Sequence, residues 1–211
     1  MVEMMRGEQY RFEFIGGEPC LDFTNTVGGD RRVDPSEHLH GYADLVAWAR
    51  QGELLSPAQG RALLLRAQRE PAAATGALAA AVELRETLFE IFLALAEDRR
   101  PSPQHLAVLN RALADALPHR RVVQSSRGFS LGWDDTDDLR RMLWPVALSA
   151  VELLAGDHAA PVKLCGMRET TGCSWLFVDE SRNGSRRWCS MKDCGNRAKA
   201  RRHYRKVKRL D

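Results

Sequence analysis

The spacing of apolar residues changes three times along the N-terminal three quarters of the chain, and those changes divide it. Phe12 and Phe14 alternate about Glu13 ahead of the Gly16-Gly17 break, a pattern that predicts a short strand and turn, followed by a buried run through Cys20, Leu21 and Phe23. From Tyr42 to Glu97 the period becomes helical. Leu45, Trp48 and Ala49 share one face, and Leu84, Leu88, Ile91, Phe92 and Leu95 share another. Helix starts are marked at Ser56-Pro57 and Ser102-Pro103, where serine can accept a backbone N–H and proline fits the first turn. The Ala-rich stretch Ala72 to Ala81 lies inside this helical pattern, and Leu106, Leu109, Leu113 and Leu117 continue it. Alternation returns in RVVQSSRGFSLGW, Arg121 to Trp133, which predicts a hairpin turning at Ser126-Arg127-Gly128. A helix from about Thr136 to Leu154 should follow, kinked at Pro145 by the loss of one backbone donor.

The expected fold is therefore mainly α with a small β-hairpin or sheet in an N-terminal domain, residues 1–156. A short linker, 157–161, leads to a C-terminal module, 162–211. No 20-to-50-residue repeat is present. No stretch approaches the roughly 18 uninterrupted apolar residues of a membrane span, and the first residues carry charge instead of an apolar signal core. The expectation is a cytoplasmic protein whose cysteines stay reduced.

Net charge sharpens the division. The whole chain carries +3, but residues 161–211 hold 14 Lys+Arg against 5 Asp+Glu, whereas residues 1–160 hold 17 against 23. A tail of +9 on a body of −6 points to a polyanion as the tail's partner.

Four of the five cysteines lie in that tail, Cys165, Cys173, Cys189 and Cys194, as C-x7-C, fifteen residues, then C-x4-C. Two close pairs of thiols separated by a hairpin-length spacer suit a structural Zn²⁺, which takes four soft or borderline ligands in a tetrahedron. Free buried cysteines and a disulfide are the alternatives. Trp175-Leu176-Phe177-Val178 is β-prone, Asn183-Gly184 is a tight-turn pair, and Arg186-Arg187-Trp188 is expected to return as the second strand. So small a module cannot bury enough apolar surface to fold alone, so metal binding should supply much of its stability. Cys20, alone between Pro19 and Leu21, reads as a packed core thiol.

From near Lys192 the chain reads as a basic helix. Ala200, Tyr204 and Val207 fall on one stripe suited to packing on the hairpin; Arg197, Arg201, Arg202, Arg205, Lys208 and Arg209 take the rest. Between Arg182 and Arg209 there are 12 Lys+Arg and one acid, Asp193. Such density exceeds an ordinary solvated face and calls for phosphates. The candidate nucleic-acid contacts are Arg182, Arg186, Arg187, Arg197, Lys199, Arg201, Arg202 and Arg205. Few aromatics follow Trp188, which favours double-stranded DNA over single strands, with RNA open.

The segment SRNGSRRWCSMKDCGNRAKARRHY, with WLFVD from Trp175 to Asp179 and the tetrad Cys194-Gly195-Asn196-Arg197, resembles the signature of the CGNR zinc-finger family of bacterial transcription regulators. The resemblance covers Lys163 to about Arg205. It implies a treble-clef-like finger of zinc knuckle, β-hairpin and basic helix, with the four cysteines as ligands and the basic segment on nucleic acid. The first knuckle, CGMRETTGC, is longer than the family's usual spacing. The segment GGEPCLDFTNTV, Gly16 to Val27, is similar to the ABATE domain, a stress-induced regulator domain often joined to this finger. Asp22, Thr24 and Asn25 within it can line a ligand or interface site, or cap the local backbone.

The expected function is binding without catalysis: a DNA-binding transcription regulator whose N-terminal domain senses a small-molecule effector or forms a homodimer. The alternative is a protein-interaction or RNA-binding module clamped by the acidic domain. A second metal site at His38 and His40 beside Asp30 and Glu37 is less well supported than an exposed polar loop, and His203 reads as a phosphate or solvent contact.

Overall fold

The computed structural model of the chain describes residues 10–125, 128–156 and 161–208. Six helices and two hairpins form its body: α1 (Pro19–Thr24), β1 (Val27–Asp30), β2 (Asp34–Glu37), α2 (Tyr42–Gln51), α3 (Pro57–Arg69), α4 (Pro71–Ala96), α5 (Pro103–Ala116), β3 (Arg120–Ser125), β4 (Gly128–Trp133) and α6 (Leu143–Ala155). β5 (Val162–Leu164), α7 (Arg168–Thr171), β6 (Leu176–Val178) and α8 (Asn196–Val207) complete the chain. The strands pair antiparallel as β1-β2, β3-β4 and β5-β6. No described helix is long and apolar enough to cross a membrane.

Local chemistry sets the helix starts. Ser56 Oγ accepts from Gln59 N at 3.2 Å while the Gln59 side chain accepts from Ser56 N at 2.9 Å, a reciprocal cap with Pro57 in the first turn. Ser102 caps α5 through His105 N. α4, 26 residues or about 39 Å long, is the axis of the body. It buries Ala74, Ala77 and Ala81 at one end and Leu84, Leu88, Ile91 and Phe92 further along, so small residues let neighbours approach where large ones later fill the core. α1, α2, α3 and α5 pack around it and α6 packs on α1 and α5, with Trp48, Phe23 and Met142 fully enclosed.

Two local expectations change. Residues 10–15 form no strand: Gln51 instead accepts from Phe12 N at 3.0 Å and donates to Tyr10 O at 2.9 Å, so a side-chain amide stands where a partner strand would. The run through Cys20, Leu21 and Phe23 is buried as expected, on a short helix with Pro19 in its first turn. Pro145 does not kink a long helix, because α6 begins at Leu143 and the proline lies in the first turn, where its missing N–H has no intrahelical acceptor. The β3-β4 hairpin forms where expected; its predicted turn residues Ser126 and Arg127, the linker residues 157–160 and Arg209 lie outside the described residues. Of the leucines from Leu106 to Leu117 only Leu109 is fully enclosed; Leu117 is half exposed.

Buried charge fixes the first hairpin. Arg85, 2% exposed, donates to both carboxylate oxygens of Glu37 at 2.7 and 2.6 Å and to Glu86 at 2.8 Å, which ties β2 to α4. Arg31 pairs with Glu86 and lies 4.0 Å from the centre of the Phe89 ring.

Candidate metal centre and nucleic-acid interface

β6 is the wall on which the C-terminal module is built. Side chains alternate across a strand. Leu176 and Val178 belong to the core of the body, and Phe177 between them belongs to a second, small core with Cys165, Met167, Cys189 and Cys194. All three are buried, which explains why this strand reads as an unbroken apolar run. Its strand partner is β5, with Lys163 opposite Phe177. The expected partner, Arg186 to Trp188, is not a strand: Asn183-Gly184 does sit in a turn, closed by Gly184 N to Ser181 O, but Arg187 lends only its carbonyl, to Gly166 N. Asp179 holds that turn, accepting from Lys163 Nζ, from Ser181 N and Oγ and from Arg186 N. Hydrogen bonds from Lys163 and Ser181 keep its carboxyl well below the usual range.

The other edge of β6 is held by the body. Asn25 Oδ1 accepts from Leu176 N at 3.0 Å, and Asn25 Nδ2 donates to Leu176 O at 2.9 Å. Gly16 O accepts from Val178 N at 2.7 Å; Gly17, at φ +92°, turns the chain away within contact of the Val178 side chain. Trp175 Nε1 donates to Val27 O, and Ser174 to Gly29 O. Asn25 thus sits at an interface within the chain. Its neighbours act locally: Asp22 Oδ1 accepts from Gly16 N and Thr24 Oγ1 donates to Leu21 O, and the structure does not join the three in one site. Burial pushes the Asp22 carboxyl up to about 6, against amide donation from Gly16 and Ile15.

On the far side of Phe177 the four cysteines converge. β5 delivers Cys165, the knuckle closing through α7 and Gly172 delivers Cys173, and the turn after Trp188 delivers Cys189. Cys194 arrives on a π turn, Met191–Gly195, that leads into α8. The four sulfurs lie within 4.8 Å of one another, with Cys173–Cys189 at 3.7 Å and Cys189–Cys194 at 3.6 Å. A tetrahedron with Zn–S of about 2.3 Å has sulfur–sulfur edges of about 3.8 Å, whereas a disulfide needs about 2.05 Å. The spacing fits the metal. Backbone amides of Cys189 and Met167 aim at the Cys165 sulfur and that of Trp175 at the Cys173 sulfur, the donors that thiolates require. Without a cation such an array cannot ionise together: hydrogen bonds from Cys173 and Cys189 pull the Cys165 thiol down, and the Cys165 sulfur pushes Cys173 and Cys189 up. Four thiolates close the coordination shell, so the metal's role is structural. The long first knuckle brings Cys165 into the set with the other three.

Among the described residues, these cysteines are the group able to hold a metal. His38 instead stacks on Tyr10 at 4.1 Å, and the His40 amide caps on Asp44. Cys20 is fully buried, stands apart from the four-cysteine group and has its thiol pushed up to about 12 by burial.

The basic residues divide into two groups. Arg186 is spent inside the module, donating to Val178 O, Ile15 O, Trp188 O and Cys189 O with its guanidinium 4.1 Å from the Phe177 ring centre. A guanidinium so engaged is a structural tie, which removes Arg186 from the candidate nucleic-acid contacts. Arg182, Arg187, Lys199, Arg201, Arg202 and Arg205 are exposed; Arg201 donates to Thr170 O and Arg197 pairs with Asp193 at 3.0 Å. The stripe Ala200, Tyr204 and Val207 does not pack on the hairpin. Tyr204 is 68% exposed, and Ala198, six residues earlier, makes the helix's contact with the small core.

A helical body bearing a four-cysteine zinc finger with a cationic helix is the class that this fold and site define. Residues 17–157 match the ABATE family, described as "Putative stress-induced transcription regulator", and residues 162–207 match the CGNR zinc finger. The chain belongs to the ABATE family and carries a CGNR zinc finger with a structural zinc site. A search of curated proteins gives no match.

Proposed function

We propose that this protein is a transcription regulator whose zinc-braced knuckle and α8 dock on DNA while the helical body senses a signal. The observation that carries the reading is the set of exposed cations just named, displayed on a frame that one metal holds. Among the described residues no ion pair joins α8 to the acidic body; the module meets the body through β6 and through the first knuckle, where Arg168 pairs with Glu97 at 2.8 Å. The body's charge therefore leaves these cations available, which favours a nucleic-acid partner over an intramolecular clamp.

A helix of 12 residues fits a major groove, with phosphate contacts supplying affinity. The sensing role is supported by a cavity of about 680 Å³ between α4, α5 and α6, lined among others by Leu84, Arg111, His119 and Trp144. The whole zinc-loaded chain should bind a duplex with a slope of log K against log salt of about −5, the value for about six neutralised phosphates. Binding that ignores salt, or no binding at low salt, contradicts the proposal.

A further inference from the structure

Where the first knuckle meets α8 the module has a cleft of about 450 Å³. Four guanidinium groups line it, Arg187, Arg201, Arg202 and Arg205, together with the indole of Trp188, and no carboxylate is among the lining residues. Four like charges on one cleft repel unless an anion enters, and a low-dielectric wall such as the indole strengthens the attraction. The cleft is also preorganised. Trp188 packs against the zinc-side core and Arg201 is pinned to Thr170 O at 3.1 Å, so neither has to be ordered when a ligand binds. The Arg187 guanidinium lies 5.8 Å from the centre of the Trp188 ring, which adds charge beside an aromatic face.

Volume and composition narrow the ligand. A bare phosphate uses only guanidinium groups and fills a small part of such a cleft, whereas one nucleotide brings an anion for the arginines and a flat π-face for the indole. Resting on the nucleic-acid reading above, we infer that this cleft takes one unpaired nucleotide of a DNA strand, its phosphate on Arg202 and Arg205 and its base against Trp188. A base inside a duplex is already stacked on both sides. The cleft therefore favours strand ends, overhangs or locally opened pairs, while the rest of the basic surface holds the adjoining duplex.

The test compares the full zinc-loaded chain on a blunt duplex and on the same duplex with a three-nucleotide overhang, by fluorescence anisotropy and by tryptophan emission. The overhang should bind about 5-fold tighter or better, the gain expected from one aromatic stack. Trp188→Leu should erase that gain and leave blunt-duplex binding and zinc content unchanged. Trp188→Phe, which keeps an aromatic ring should the leucine variant fail to hold zinc, should remove the quenching of emission seen on adding the overhang DNA. Replacing both exposed arginines, Arg202→Ala with Arg205→Ala, should weaken both DNAs and reduce the salt slope by about 2. Equal binding of the two DNAs by the wild-type chain, or quenching that survives in Trp188→Phe, overturns the cleft assignment alone. Failure to bind either DNA overturns the proposed function as well.

Discussion

The two faces of the C-terminal module use the same kinds of residue for opposite ends. Its β6 face is absorbed into the body: Leu176 and Val178 complete the body's core, and Asn25 and Gly16 supply the hydrogen bonds of a missing strand. Its α8 face meets solvent and carries the cations. Arg186 and Arg187 are neighbours in sequence, yet one ties four carbonyls together and the other is exposed. Charge density therefore marks a binding surface only after the cations already engaged within the fold are removed from it. The four-cysteine metal site lies between the faces, so loss of its metal should uncouple them.

The largest effect comes from breaking that centre. Cys194→Ser should lose zinc, and with it a binding free energy on the order of 10 kcal/mol that also folds the module. The expected readout is less than about 0.1 zinc per chain and rapid proteolysis after residue 165, with the helical body intact by circular dichroism. Next in size is the seam. Asn25→Ala leaves the Leu176 N–H and C=O without partners in a buried place, and at about 1–3 kcal/mol each the chain should lose about 4 kcal/mol in chemical denaturation while retaining zinc. A loss below about 1 kcal/mol means that the seam does not join the two cores.

The arginine pair gives a sharper contrast at smaller cost. Arg186→Ala should destabilise the chain by about 3 kcal/mol, whereas Arg187→Ala should stay within about 0.5 kcal/mol and weaken DNA binding instead. Equal stability losses erase the distinction between the faces. The smallest effect depends on pH. With the folded Asp22 carboxyl at about 6, above its unfolded value near 3.9, the folded state binds the extra proton, so this group's contribution is full below about pH 4 and is lost as pH rises through 6. Asp22→Asn keeps an acceptor for Gly16 N and removes that loss. It should be more stable than the wild type by on the order of 2 kcal/mol at pH 8 and equal to it at pH 4.

Legibility in the sequence followed the range of the interactions. The cysteine set needs only residue type and spacing, and the capped starts of α3 and α5 lie within four residues of their caps, so both could be read directly. Leu176 and Val178 were legible as a strand but not their partner: the local Asn183-Gly184 signal argued for a return through Arg186, while the true pairing is with β5 across the first knuckle. The Asn25 clamp spans 151 residues and has no local signature at all. Gln51 plays the same part for Tyr10 and Phe12, a second amide standing in for a strand. Trp188 was visible beside Cys189, yet its place in an arginine-lined cleft depends on how α8 leaves the metal site, which spacing alone does not fix.

Zinc content and duplex affinity followed on one sample of the full chain, before chelation, after it and after zinc is restored, test the central claim most directly. One zinc per chain is predicted, with binding lost on its removal and recovered on its return. Metal-free protein that still grips the duplex with unchanged affinity and salt dependence would contradict it.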